Sequence, residues 1–184
     1  MTLSLRAKIS LALLILLGVV VYGLVLDLGI NAGRIHHGVY VRDINLGGLT
    51  KEEAFERLIA RGLELEDEPV LVTREGVGCH FVPSDLGWEA KPFETAIAAY
   101  RIGRGEESFE ALSTRIRAWF GGVSIDWKDE IDRRAMRTLL DDCEEQAQAI
   151  GYEVRRYRLR KRIARAITTW PRSPVNIPIR EETA

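Results

Sequence analysis

Arg155, Arg156, Arg158, Arg160, Lys161, Arg162 and Arg165 place seven cations within eleven residues, interleaved with Tyr152, Tyr157, Leu159, Ile163 and, a little further on, Trp170. Like charges at this density repel one another unless anions stand close by, so the segment predicts contact with lipid phosphate, an anionic polymer, or an acidic protein surface. The surface could belong to this chain or to a partner. A solvated basic helix without a ligand is the plainer alternative. Basic residues mixed with aromatics also describe a nucleic-acid surface, an option that the topology derived below removes.

The other reactive side chains are poorly placed for catalysis. Cys79 and His80 are adjacent, but a thiolate needs an imidazole able to share its proton, and neighbours on a strand point to opposite faces. His36 and His37 are separated by the same alternation, and with His80 they complete the histidines, which leaves no set of metal ligands. Acidic pairs recur at Glu52-Glu53, Glu106-Glu107, Asp141-Asp142 and Glu144-Glu145. Glycoside hydrolysis requires two carboxylates about 5–9.5 Å apart across a sugar, whereas these pairs read as solvated helix surfaces. No nucleophile, base, metal or cofactor constellation stands out, and the expectation is a protein that is not an enzyme. Cys79 and Cys143 lie 64 positions apart without C-x-x-C spacing. An oxidising exterior would permit a disulfide, yet one cysteine falls in a predicted strand and the other in a predicted helix, which favours free thiols.

The elements that must carry these residues begin with an apolar run. Ile9 to Leu26 holds 18 residues without charge or proline, preceded by Arg6 and Lys8 and followed by Asp27. As a helix it measures about 27 Å, close to the ~30 Å hydrocarbon core of a bilayer once Leu28 and Ile30 join it. Basic residues stay on the cytoplasmic side, which predicts a single-pass plasma-membrane protein with a cytoplasmic N-terminus and everything beyond about residue 31 outside. A cleaved signal peptide would have a shorter apolar core of about 7–15 residues and a small-x-small site. Gly29-Ile30-Asn31-Ala32-Gly33 matches that site poorly, so an uncleaved anchor is favoured. A core helix of a soluble protein fits worse still, because the run is apolar all round.

The net charge of −1 conceals an asymmetry: residues 34–150 hold 15 basic and 23 acidic residues, net −8, and residues 151–184 hold 9 and 3, net +6. The chain divides accordingly into a cytoplasmic stub and anchor (1–33), an α+β region (34–150) and a basic helix with a closing strand (151–184) belonging to the same domain. Ile35 to Arg42 suits a strand, and Leu46-Gly47-Gly48-Leu49 a turn. Thr50 with Glu53 is a capping box opening a helix to about Arg61, where Gly62 stands as a left-handed stop. Two short apolar runs, Val70 to Thr73 and Gly78 to Val82, flank Glu75-Gly76 as a hairpin. Helices follow at Phe93 to Ile102 and Phe109 to Phe120, with Phe93, Ala96, Ile97 and Tyr100 on the inner face of the first and Leu112, Ile116 and Trp119 or Phe120 on that of the second. A strand over Val123 to Trp127 leads to a helix from about Glu130 to Ala149, capped by Asp129 and carrying Ile131, Met136, Leu139, Leu140 and Cys143 inward. A helix from Arg158 to Trp170, an edge strand over Val175 to Ile179 and a frayed end close the chain. Leu86-Gly87-Trp88-Glu89 is echoed by Ile150-Gly151-Tyr152-Glu153, each before a helix. The fold class is α+β: an N-terminal transmembrane helix and a small mixed ectodomain with short strands and several helices.

The stretch Gly38 to Ala54 (GVYVRDINLGGLTKEEA) resembles the opening of the peptidoglycan-binding domain that precedes L,D-transpeptidase and VanW-type modules in bacterial envelope proteins. The likeness continues through Leu86-Gly87, Ala96, Ala99, Gly103 and Arg104, and resumes at Val154, Ile167 and Val175 to Arg180. It implies an extracytoplasmic domain that binds peptidoglycan or another wall polymer, or that scaffolds wall-associated machinery; it carries over no binding residue. Against the family's pattern, the segment before the final strand is shortened and strongly basic here. The alternative is an accessory subunit of a membrane or envelope protein complex, with the likeness reflecting fold ancestry alone.

Overall fold

A computed structural model describes residues 4–30, 32–74, 76–104 and 108–181. α1 (Leu5–Ile30) is one uninterrupted helix, long and apolar enough to cross a membrane, and its Arg6–Gly23 stretch is not buried against the rest of the chain. After it come β1 (Val39–Val41), β2 (Ile44–Asn45), α2 (Lys51–Asp67), β3 (Val70–Arg74) and β4 (Val77–Phe81). A 3₁₀ turn (Pro83–Leu86) leads to β5 (Glu89–Ala90), α3 (Pro92–Arg101), α4 (Ser108–Gly121), β6 (Val123–Ile125) and β7 (Asp129–Glu130). The chain ends in α5 (Arg133–Gln148), β8 (Tyr152–Val154), α6 (Arg156–Ile167), β9 (Val175–Asn176) and β10 (Ile179–Glu181).

The strands form four small sheets, ordered β2-β1-β6, β4-β3-β9, β5-β7 and β10-β8. β1 runs parallel to β6 and β3 parallel to β9, so these two sheets tie early chain to late chain. The buried apolar cluster extends from Ile35 to Ile177. Segments 34–150 and 151–184 therefore contribute to one core. α6 is held by Leu159, Ile163 and Ile167, all fully buried at i, i+4, i+8 spacing, which fixes its opposite faces outward.

Several sequence expectations hold at residue level. Thr50 caps α2, accepting from the Glu53 N–H at 3.1 Å while the Glu53 carboxylate accepts from the Thr50 N–H at 2.8 Å. The hairpin pairs Val72 with Cys79, with Glu75 of its turn outside the described residues. Both glycine-aromatic-glutamate segments have their glycine at positive φ (Gly87 57°, Gly151 80°) before a short strand and a helix.

Other boundaries move. α2 does not stop at Gly62 but runs to Asp67; Gly62 is buried, and a Cβ there would stand 3.3 Å from the Ala90 Cβ, so the glycine serves close packing on β5. α5 is capped by Asp132, not Asp129, because β7 pairs with β5 and draws Asp129 into a strand. β6 ends at Ile125, leaving Trp127 in the connection. α6 spans Arg156–Ile167, shorter than expected at its end, and the closing strand splits into β9 and β10 around Pro178. Arg180 pairs with Glu153 in β10 rather than fraying, while 182–184 lie outside the described residues. α3 buries Thr95, Ala96 and Ala99 and leaves Phe93 exposed. α4 buries Ala111 and Ala118 and turns Ile116, Trp119 and Phe120 outward. Both helices lie against the core on small residues, an option that a search for large apolar stripes misses.

Basic clefts around α6 as the candidate functional site

With Leu159, Ile163 and Ile167 inward, the charged positions of α6 face three adjoining clefts. The first, about 730 Å³, lies between α5 and α6 and is lined by Arg133, Met136, Arg137 and Leu140 from one helix and Arg156, Tyr157 and Arg160 from the other. The second, about 480 Å³, reuses Arg133 and Arg160 and adds Lys161, Arg165, Arg42, Asp126, Trp127 and Asp129. The third, about 460 Å³, shares Arg165 and adds Arg162, Arg172 and the β9 approach. Shared side chains make the three one continuous track along a helix about 18 Å long.

Of the seven cations singled out in the sequence, Arg156, Arg160, Lys161, Arg162 and Arg165 line this track. Arg155 and Arg158 are exposed and line none of the three. Arg156 is committed internally: its guanidinium donates to Asp141 at 2.6 Å and Glu144 at 2.5 Å, which holds its pKa above the ordinary value, the Asp141 bond first and the Glu144 bond second. The acidic and basic halves of the chain thus meet at this residue. Arg162 donates to the Asn176 carbonyl at 2.7 Å, and the Lys161 ammonium sits 4.7 Å from the centre of the Tyr157 ring. Among the described residues, no carboxylate lies within ion-pair distance of Arg133, Arg137, Arg160, Lys161, Arg162 or Arg165. Unpaired cations in concave surface raise the local positive potential, and arginine forks match carboxylate or phosphate oxygens two at a time.

The second cleft concentrates unusual local structure. Arg42 has φ 55°, the one positive value at a non-glycine residue among those described, and it pairs with Asp126 at 2.9 Å. Backbone held in that region costs on the order of 1–3 kcal/mol and collects at functional sites. The Arg42 Nε and the Trp127 Nε1 are buried without a hydrogen-bond partner among the described residues. Asp129 accepts the Trp88 indole N–H at 2.8 Å; burial raises its pKa above the usual carboxylate value, the Trp88 bond opposes this, and Asp126 adds to the rise.

The remaining sequence candidates disperse. Cys79 is buried and His80 exposed, and His36 is buried and His37 exposed, so neither adjacent pair converges. Glu106 and Glu107 lie outside the described residues. Cys79 and Cys143, in contrast, are brought together in the core between β4 and α5 as free thiols in contact with each other, and burial first, Cys79 second, pushes the Cys143 pKa upward. Arg133, Arg137, Arg42 and Trp127 were not anticipated as site residues. The i, i+4 pair Arg133 and Arg137 at the start of α5 was the available signal for two of them.

No protein-family model, no curated protein and no solved structure matches this chain.

Proposed function

We propose that the chain is a single-pass membrane-anchored protein, N-terminus cytoplasmic and folded domain outside, that binds an anionic cell-wall polymer along α6 and performs no chemistry of its own. The observation that carries this reading is the continuous cationic track in which Arg133, Arg137, Arg160, Arg162 and Arg165 have no carboxylate partner among the described residues. Three clefts joined by shared side chains suit a ligand whose anionic groups recur, such as a phosphate-bearing or carboxylate-bearing polymer, better than one compact ligand. α1 supports the anchor by length and composition, and Arg6 and Lys8 before it support the orientation. The likeness of Gly38 to Ala54 to wall-binding domains supports the surroundings.

The test is co-sedimentation of the full-length, detergent-solubilised chain with purified cell walls, intact or stripped of anionic polymer. Retention at low salt, loss of retention on stripping, and release as salt rises are expected. No retention at low salt, or retention indifferent to the anionic polymer, would overturn polymer binding. Recovery of a stoichiometric protein partner by crosslinking from cells, with no wall material, would favour the accessory-subunit reading instead.

A further inference from the structure

α4 contradicts the usual sense of an amphipathic helix. Its core side is made of Ala111 and Ala118, 8% and 2% exposed, while Ile116, Trp119 and Phe120 stand outward at 42%, 44% and 86% exposure. These three fall at i, i+3 and i+4 and so form one stripe. The orientation is fixed from below: the Gly38 backbone sits so close to the Ala118 carbonyl that a Cβ at Gly38 would lie 2.0 Å from its oxygen. α4 cannot roll to bury the stripe without separating from β1.

The stripe is continuous with α1. A Cβ on Gly23 would lie 3.5 Å from the Trp119 ring, so the indole lies against the apolar helix. Gly23 is three residues, or about 4.5 Å, inside the end of the uncharged run at Leu26. Tryptophan concentrates at that depth in membranes, and interfacial helices bury their apolar faces about 5–10 Å into the boundary between headgroups and acyl chains. Arg117 is exposed on the same helix, available to lipid phosphate.

We propose that α4 is an interfacial helix: Ile116, Trp119 and Phe120 insert into the bilayer leaflet that adjoins the folded domain and hold that domain flat against the membrane crossed by α1. The inference rests on α1 spanning the bilayer. Lipid is the occupant because the face continues directly onto the apolar surface of α1.

The test uses the full-length chain reconstituted into phosphatidylcholine–phosphatidylglycerol vesicles whose acyl chains carry bromine, a short-range quencher of indole fluorescence. Trp88 and Trp127 are buried in the domain and Trp170 lies against Arg61, so Trp119 is the indole placed to meet acyl chains. Quenching is expected in the wild-type chain, with most of it lost in Trp119→Phe. Phe120→Asp is expected to weaken it at an unchanged unfolding midpoint, because Phe120 is not part of the core. Equal quenching in wild type and Trp119→Phe, or none in either while the vesicles still carry the protein on flotation, would overturn the interfacial helix and leave the anchor standing. Failure of the chain to float with the vesicles would overturn the anchor reading, and this inference with it.

Discussion

Replacing Gly38 with alanine combines two penalties that can be separated by a control. Gly38 has φ 76°, and an added Cβ would stand 2.0 Å from the Ala118 carbonyl oxygen and 2.8 Å from its carbon. The left-handed backbone costs an alanine about 1 kcal/mol. The clash forces the end of α4 away from β1, and over-packing of this kind costs about 1–3 kcal/mol or more. Together they amount to about 2–4 kcal/mol. At a urea dependence of about 2 kcal/mol per M, the unfolding midpoint falls by about 1–2 M. Gly76 is the control: its φ is 93°, but nothing lies within 4 Å of its Cβ position. Gly76→Ala should lose only the backbone part, about 1 kcal/mol, or about 0.5 M. The assay is urea titration of the full-length chain in detergent, followed by the fluorescence of the buried Trp88 and Trp127. Equal shifts for the two variants would show that the close approach of Gly38 to Ala118 does not constrain α4.

Ile163→Ala, at a fully buried position of α6, should cost about 3–4 kcal/mol and be read as a lower urea midpoint, since it leaves a cavity under the helix that presents the cations. Arg42→Gly should raise that midpoint by releasing the left-handed strain, about 1 kcal/mol, while weakening polymer binding through loss of a cleft cation. Cys143 titrates higher in the folded chain than in the unfolded one, so its contribution to stability is complete below about pH 8.5 and declines above it as the unfolded thiol ionises first. Urea midpoints measured from pH 7 to pH 10 should therefore fall, and Cys143→Ala should flatten the fall. Both thiols should resist alkylation until the domain unfolds, as mass spectrometry after iodoacetamide would show.

Local signals were readable in the sequence where neighbours along the chain decide the outcome. The start of α2 follows from Thr50 and Glu53, and the hairpin from two short apolar runs. Features decided by distant chain were not readable. Gly62 has the sequence character of a helix stop and acts as a packing site, because the deciding contact is Ala90 on another element. Asp129 and Asp132 are equivalent caps by residue type, and pairing of β7 with β5 chooses between them. The seven-cation segment was visible, but the clefts were not, since their opposite walls come from Arg133, Arg137 and Arg42 far upstream. The meeting of Cys79 with Cys143 depends in the same way on β4 packing against α5.

The central claim, that unpaired cations along α6 bind a polyanion, is tested most directly by the salt dependence of binding to purified anionic wall polymer, comparing the full-length wild-type chain with an Arg133→Gln, Arg160→Gln, Arg165→Gln variant. These three residues join the clefts and have no carboxylate partners among the described residues, so folding should survive their neutralisation. Binding that weakens steeply with salt in the wild type, and is both weaker and less salt-sensitive in the variant, is the predicted result. Identical binding curves for the two proteins at an unchanged unfolding midpoint would contradict it.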